Sequence, residues 1–345
     1  MTKAKFKAVL LGLACGDALG APTEFKSIGA IQDKYGPQGI QSIIQTSGRF
    51  TDDTQMTVAL AEGLLDAHAS VDGMPHHDVV LAMGSSDHTM PFVAKQYVRW
   101  AFGPKNNRAP GNTCMSGCSA LKHGADWKNS GVKSSKGCGS AMRSSPVGLV
   151  YSDLKTLGRI ARDSSVITHG HQAALDSAHV AALIVRLLID GADPEDLLDA
   201  VRPVVEDENF LLLLDRVAPF VVETIAGEVE PTQVQTFQDG FGLGESWVGD
   251  EAVASALYCF LLAVERKEGY VETVRYGANT KGDSDSIAAI AGSFAGAFWG
   301  LGGEKGIPQD WIDHVEDGAE LEDLGDRLYA LHLDLAGQPI ASNEG

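Results

Sequence analysis

Two short acidic motifs carry the groups best suited to chemistry: Asp52-Asp53 in GRFTDDTQ and Asp283-Ser284-Asp285 in KGDSDSIAA. Each follows glycine closely and is flanked by small hydroxyl residues, Thr51 and Thr54 in the first, Ser284 and Ser286 in the second. Carboxylates at a helix start commonly act only as caps, because they accept backbone N–H bonds and meet the positive end of the helix dipole. Either motif alone is explained that way. Two motifs of matching chemistry argue for more. Four converging carboxylates repel one another, and two divalent cations would neutralise them charge for charge. All-oxygen donors of this kind suit Mg²⁺, Mn²⁺ or Ca²⁺ rather than Zn²⁺.

The elements that must position these groups can be read from periodicity. After Asp285 comes a run without charge, residues 287–301, in which Gly292, Gly296 and Gly300 recur at i, i+4 and i+8. That spacing places the glycines on one face, where another helix can approach closely. An apolar surface all round marks a buried helix, and about 15 residues is too short to cross a bilayer. Thr51 is a good N-cap for a helix of about four turns holding Asp52 and Asp53 in its first turn. Residues 4–19 form a helix ended by Gly16, Gly20 and Pro22, with Asp17 and Glu24 in the turn region. Asp17 is expected to bond the N–H groups of its own turn.

Residues 23–48 read as loop with one short element, and 68–91 as a polar connection before a short helix at 92–102. A helix follows Met115, and 127–136 is loop-like. In SSKGCGSAMRSSPVGLV a glycine turn runs into a helix that Pro146 ends or kinks. Further helices are expected at 152–161, 172–189, from Asp193, and at 209–226, 249–265, 271–278 and 321–335. Strand-period alternation is almost absent. The expectation is an all-α fold, and without an internal linker a single compact domain over 1–345.

The chain has 345 residues, 44% hydrophobic and 21% charged, with a formal charge of −19. So acidic a surface disfavours extended nucleic acid and anionic membranes, while leaving room for a small anion in a local pocket. The five cysteines are odd in number, no secretory signal precedes them, and Cys114-x-x-x-Cys118 lacks a second pair. Reduced thiols, a cytoplasmic location and no structural zinc site are expected.

GLACGDALGAPTEF, GRFTDDTQMTVALAEGLL, SKGCGSAMRSSPVG, ITHGHQAALDSA and GDSDSIAAIAGSFAGAFWG resemble, in order, the successive motifs of the ADP-ribosylglycohydrolases, including the dinitrogenase-reductase-activating glycohydrolases and the ADP-ribosylarginine hydrolases. The resemblance implies an all-α domain with a dinuclear Mg²⁺ or Mn²⁺ centre that cleaves ADP-ribose from a modified group. It implies metal ligation by Thr51, Asp52, Asp53, Asp283, Asp285 and Ser286, serine standing where the family more often has threonine. Catalysis would fall to Glu24 and the four aspartates. Substrate contacts would come from Gly111 and Asn112, from the diphosphate turn Gly137, Cys138, Gly139 and Ser140 with Met142 beside it, and from Thr168 and His169 near the adenosine. Cys138 itself reads as a small filler, since no activating base is apparent.

The substrate implied is an ADP-ribosylated protein or small molecule, and the chain is expected to be a monomer. Arg108-Ala109-Pro110-Gly111 resembles the arginine-specific branch, although Ala109-Pro110 stands where some relatives place an acid. Serine-linked, nucleobase-linked and small-molecule ADP-ribose are alternatives, as are a non-catalytic ADP-ribose binder and an unrelated two-metal phosphoesterase.

Overall fold

Long stretches of alanine, leucine and glycine at helical spacing give seventeen α-helices among the described residues. The computed structural model describes residues 2–233 and 242–337; residues 1, 234–241 and 338–345 of the expected 1–345 domain lie outside the described residues. In chain order the helices are α1 (Lys3–Gly20), α2 (Ile28–Tyr35), α3 (Asp52–Ala69), α4 (His76–Met83), α5 (Ser86–Ala101), α6 (Asn112–Lys122), α7 (Trp127–Ser130), α8 (Ser145–Val150) and α9 (Leu154–Val166). They continue with α10 (Gln172–Asp190), α11 (Leu197–Val201), α12 (Glu208–Ala226), α13 (Gly249–Glu265), α14 (Tyr270–Ala278), α15 (Ser284–Trp299), α16 (Gln309–His314) and α17 (Gly318–Leu335). Extended segments meet only as isolated bridges, Val132 with His169, Gly137 with Val248 and Leu301 with Ile307, among the described residues. The fold is a single all-α domain.

Its centre is the antiparallel pair α1 and α15. A Cβ added to Gly12 would overlap the carbonyl of Gly292, one on Gly16 that of Ala288, and one on Gly296 that of Ala8. At Gly20 it would lie 2.5 Å from the Cα of Asp285. The two backbones therefore touch along four turns, which only small residues permit. Tyr270 Oη seals the contact by donating to Gly12 O at 2.7 Å. Around this pair α3, α13, α14 and α17 bury the remaining apolar faces.

Several expectations need correction. Gly300 does not join the glycine face: it caps α15 at φ +77° with open space around it. The 68–91 region is not a loop, for α4 and α5 occupy most of it. Pro91 sits within α5 but on its exposed side, so the carbonyl left without a helical N–H partner can be hydrated. Pro146 stands at the start of α8 rather than ending a helix, a position where its missing N–H costs nothing. Only a single 3₁₀ turn, Cys138–Ser140, lies between the glycine turn and α8. The 23–48 region holds two short elements, α2 and the 3₁₀ turn Ile43–Gln45, and α3 runs about one turn further than its pattern suggests. Helix α10 is long and apolar enough to cross a membrane by composition, yet 83% of that window is buried inside the protein, as befits a core helix.

The packing makes a direct prediction. Gly16→Ala drives a methyl into the Ala288 carbonyl and should destabilise by about 1–3 kcal/mol. Gly29→Ala in α2, where nothing lies within 4 Å, should be neutral or stabilising by up to about 1 kcal/mol. Urea unfolding of both variants checks this, and equal midpoints would show that the α1–α15 contact is not tight.

Candidate active site

The C-terminal end of α1 sets the start of α3. Asp17 is fully buried; its Oδ1 accepts the Thr51 N–H at 2.8 Å, and its Oδ2 accepts the N–H (3.0 Å) and hydroxyl (2.6 Å) of Thr54. It thus caps a different helix and not its own turn. The reason is local: α1 stays helical through Gly20, and Ala21 N–H already bonds the Asp17 carbonyl, so the side chain is left to reach across. Thr51 caps α3 as expected, its hydroxyl accepting from Asp53 N–H at 3.3 Å.

Helix α15 delivers the second motif. Asp283 is its N-cap, held by its own N–H to Glu245 O at 2.9 Å, and Asp285 lies in the first turn. Ser286 Oγ donates to Asp53 Oδ2 at 2.9 Å, so the two acidic motifs meet. Carboxylate oxygens of Glu24, Asp283 and Asp285 come within 4.8 Å of one another. Glu24, read from sequence as catalytic only, therefore also sits within reach of a shared cation.

Removing these carboxylates from water raises all their proton affinities. Burial first, then Asp285, Asp52 and Asp17, pushes Glu24 up to about 9. Burial likewise lifts Asp17 and Asp52 to about 7, with Asp285 adding to both. Asp53 and Asp283 rise well above the ordinary 3.8, and Asp285 rises too, burial again leading. A cluster that holds protons so tightly is short of positive charge. Its hard oxygen donors fit a divalent cation.

All of these carboxylates except Asp17 line a cavity of about 270 Å³ that also takes in Gly111, Asn112, Gly137, Cys138, Gly139, Met142 and His169. Gly111 N–H donates to Asp52 Oδ2 at 3.2 Å. His169 is buried and pushed down to about 3 by desolvation and then Arg143, so it stays neutral. Its ring packs on Gly137 and Gly139: a Cβ at Gly137 would lie 2.8 Å from His169 Nε2, and one at Gly139 2.7 Å from Cys114 Sγ. Three expected site residues do not line the cavity. Thr51 is engaged with Asp53 N–H. Ser140, fully buried, finds its partner in the core at Ala174 O, 3.1 Å away. Thr168 lies behind His169, its Oγ1 2.8 Å from Nδ1, and orients that ring. Arg108 is also outside, clamped on both oxygens of Glu316 at 2.5 and 2.7 Å.

Spacing alone misses several groups. Phe25, 72% exposed at φ +60°, stacks on Trp247 with ring centroids 4.9 Å apart, and both line the cavity. A bulky residue in left-handed backbone is strained, and such strain gathers at functional sites. Nothing in sequence marks Trp247; Phe25 is signalled only by following Glu24. Arg143 is fully buried under the site, donating to Thr168 Oγ1 (2.7 Å) and Ser164 O (3.0 Å) beneath the Tyr97 ring. Cys138 is more than a filler, since its thiol donates to Asp283 Oδ2 at 2.7 Å.

The raised proton affinities predict a pH dependence of stability. Without metal the folded state binds more protons than the unfolded chain between the ordinary values of 3.8 and 4.5 and the folded values of about 7 (Asp17, Asp52) and about 9 (Glu24). Stability from these groups is present at the acid end of that window and is lost as pH rises through it. Thermal melts of chelator-treated protein should show Tm falling toward alkaline pH, and Mn²⁺ should flatten the slope by taking the protons' place. A Tm that climbs across the window would contradict the cluster's charge state.

Known proteins resemble this chain over nearly its whole length. The sequence model of the family described as ADP-ribosylglycohydrolase matches residues 1–336. An uncharacterized protein of Archaeoglobus fulgidus is 33% identical over 339 residues, covering 95% of this chain and 97% of that one. The ADP-ribosylarginine hydrolase Tri1 of Pseudomonas putida is 26% identical, with 94% and 77% covered. The ADP-ribosylhydrolase ARH3 of Mus musculus is 25% identical, with 94% and 91% covered. Among solved structures, a chain titled ADP-ribosylglycohydrolase-related protein complex superposes with a TM-score of 0.68 at 26% identity, covering 96% of this chain and 98% of its own. With the motifs in order from one end to the other and the acidic residues of both brought into one cavity, the chain belongs to the ADP-ribosylglycohydrolase family.

Proposed function

We propose that this protein is a metal-dependent hydrolase that removes ADP-ribose from modified arginine, using two divalent cations, Mg²⁺ or Mn²⁺. One observation carries the reading. Five carboxylates line a single cavity whose lining, among the described residues, includes neither lysine nor arginine and one histidine, which is neutral. With no lysine or arginine in that lining to repel it, a cationic leaving group such as the guanidinium of arginine is admitted. Relatives named as ADP-ribosylarginine hydrolases and as ARH3 match about equally, so they support the hydrolase class and leave the linkage to the site's chemistry.

The donors for the cations would be Asp283 and Asp285 on one side, Asp52 and Asp53 on the other, with Thr51 and Ser286 supplying hydroxyls. When bound, the cations polarise a water and anchor ribose hydroxyls. Glu24, whose burial raises its hold on a proton, is placed to give that proton to the departing guanidine nitrogen. The remaining aspartates stabilise the oxocarbenium-like charge at the sugar carbon. The Gly137–Gly139 turn, which lines the cavity, would receive the diphosphate, and neutral His169 adds no charge near it.

Purified protein with Mn²⁺ should release ADP-ribose from arginine-linked substrate. Release from serine-linked substrate with arginine-linked substrate left intact would overturn the linkage. Glu24→Gln should lower kcat by about 10²–10⁴ and erase the alkaline limb of its pH profile. Asp283→Ala should abolish turnover and weaken Mn²⁺ binding measured by calorimetry; unchanged Mn²⁺ affinity would remove Asp283 from the centre.

A further inference from the structure

A second cavity, of about 430 Å³, opens between α9, α10 and the end of α11 and shares no lining residue with the acidic one. Its volume is that of a small-molecule site. Leu154, Gly158, Leu183, Leu187, Ala200 and Val204 wall it; Lys155, Arg159, Arg162 and His179 complete the lining, with no acid among the described residues. In a chain of formal charge −19 that local excess of base is unusual. His179 is 7% exposed, yet neither ring nitrogen makes a hydrogen bond among the described residues, and Nδ1 is wholly enclosed. A buried polar group without a partner costs about 1–3 kcal/mol. Burial first, then Arg162, pushes the ring down to about 4, so it stands as a neutral imidazole with one donor and one acceptor. Gly158 makes room for it: a Cβ there would lie 2.6 Å from Nε2, so that edge of the ring sits at the wall both residues form.

The three cations are not equivalent. Arg162 is engaged by the fully buried Asp176 at 2.5 Å and by Val204 O at 2.6 Å. Asp176 is compensated further by the N–H groups of Glu206 and Asp207, at 2.8 and 2.7 Å. Uncompensated charge is left at the rim, on exposed Lys155 and on Arg159, whose guanidinium bonds the neutral Gly84 carbonyl. We propose that this cavity binds a small heteroaromatic carboxylate, its ring among Leu154, Leu183, Leu187 and Val204, an in-plane polar hydrogen of that ring bonded to His179, and its carboxylate at Lys155 and Arg159. Such a body meets both demands of the wall, apolar faces for the leucines and a polar edge for the imidazole. The rim supplies charge complementarity for an anion and repels a cation. The site is independent of the acidic cavity and of the hydrolase reading.

Calorimetry of the full chain with indole-3-acetate tests this, because that probe joins a ring N–H to a carboxylate. Saturable binding at one site per chain is expected, undisturbed by excess ADP-ribose. Tryptamine, which keeps the indole and reverses the charge, should bind about tenfold more weakly. Loss of the N–H in 1-methylindole-3-acetate should weaken binding by roughly 3–10-fold. Lys155→Glu should weaken the parent probe, and less so at high salt. Leu183→Trp, which fills the cavity, should abolish binding. His179→Leu should erase the difference between the methylated and parent probes, a readout that stands even where Leu183→Trp fails to fold by circular dichroism. Absence of binding at about 1 mM probe overturns the site. So does displacement by ADP-ribose, or a preference for the parent indole that survives in His179→Leu, since either places the probe elsewhere. None of these outcomes bears on the hydrolase reading, whose residues lie in the other cavity.

Discussion

The structure depends on one close contact, the backbone-to-backbone packing of α1 against α15. Gly12, Gly16 and Gly20 on one helix meet Gly292, Ala288 and Asp285 on the other, and no side chain stands between the axes. Because the helices are antiparallel, the end of α1 lies at the start of α15. Glu24, one turn beyond α1, is thereby delivered to Asp283 and Asp285. The same end of α1 carries Asp17, whose two oxygens hold the first turn of α3 and so aim Asp52 and Asp53. A helix pair with larger residues at the seam would sit further apart and disperse the site.

Charge is the second constraint. Bringing five carboxylates to one cavity, with Asp17 buried behind them, is unfavourable unless protons or cations accompany them. The compensation visible in the protein is partial: helix-start N–H groups, the Gly111 N–H on Asp52, and the buried Arg143 guanidinium, which favours the ionised form of Asp52. The rest must come from what binds. The cluster costs the fold stability, as happens where function requires groups that the fold alone would avoid.

Around the cluster the protein separates roles by residue type. Glycines let His169 lie flat beside the turn at Gly137–Gly139, while Thr168 and Arg143 behind it set the ring. Phe25 and Trp247 form a stacked aromatic rim at the exposed side. Glu245 ties that rim to the start of α15, since its carbonyl accepts Asp283 N–H and its carboxylate accepts from Trp247 Nε1 at 3.3 Å.

By itself the sequence determined the helical class, the capping role of Thr51, the presence of two acidic motifs of matching chemistry and the buried glycine-rich helix, because each is written in local periodicity and residue chemistry. It also determined the family through motif order. It did not determine that Pro91 lies inside a helix or that Pro146 begins one, since a proline's effect depends on which face and which turn it occupies. Tertiary structure alone decided that Asp17 caps α3, that Ser140 and Thr168 point away from the cavity, that Arg108 is held by Glu316, and that Trp247 meets Phe25. Each of these joins residues distant in the chain or turns on a side chain's direction. Such contacts are fixed by the packing of whole helices, and no spacing within a single segment encodes them.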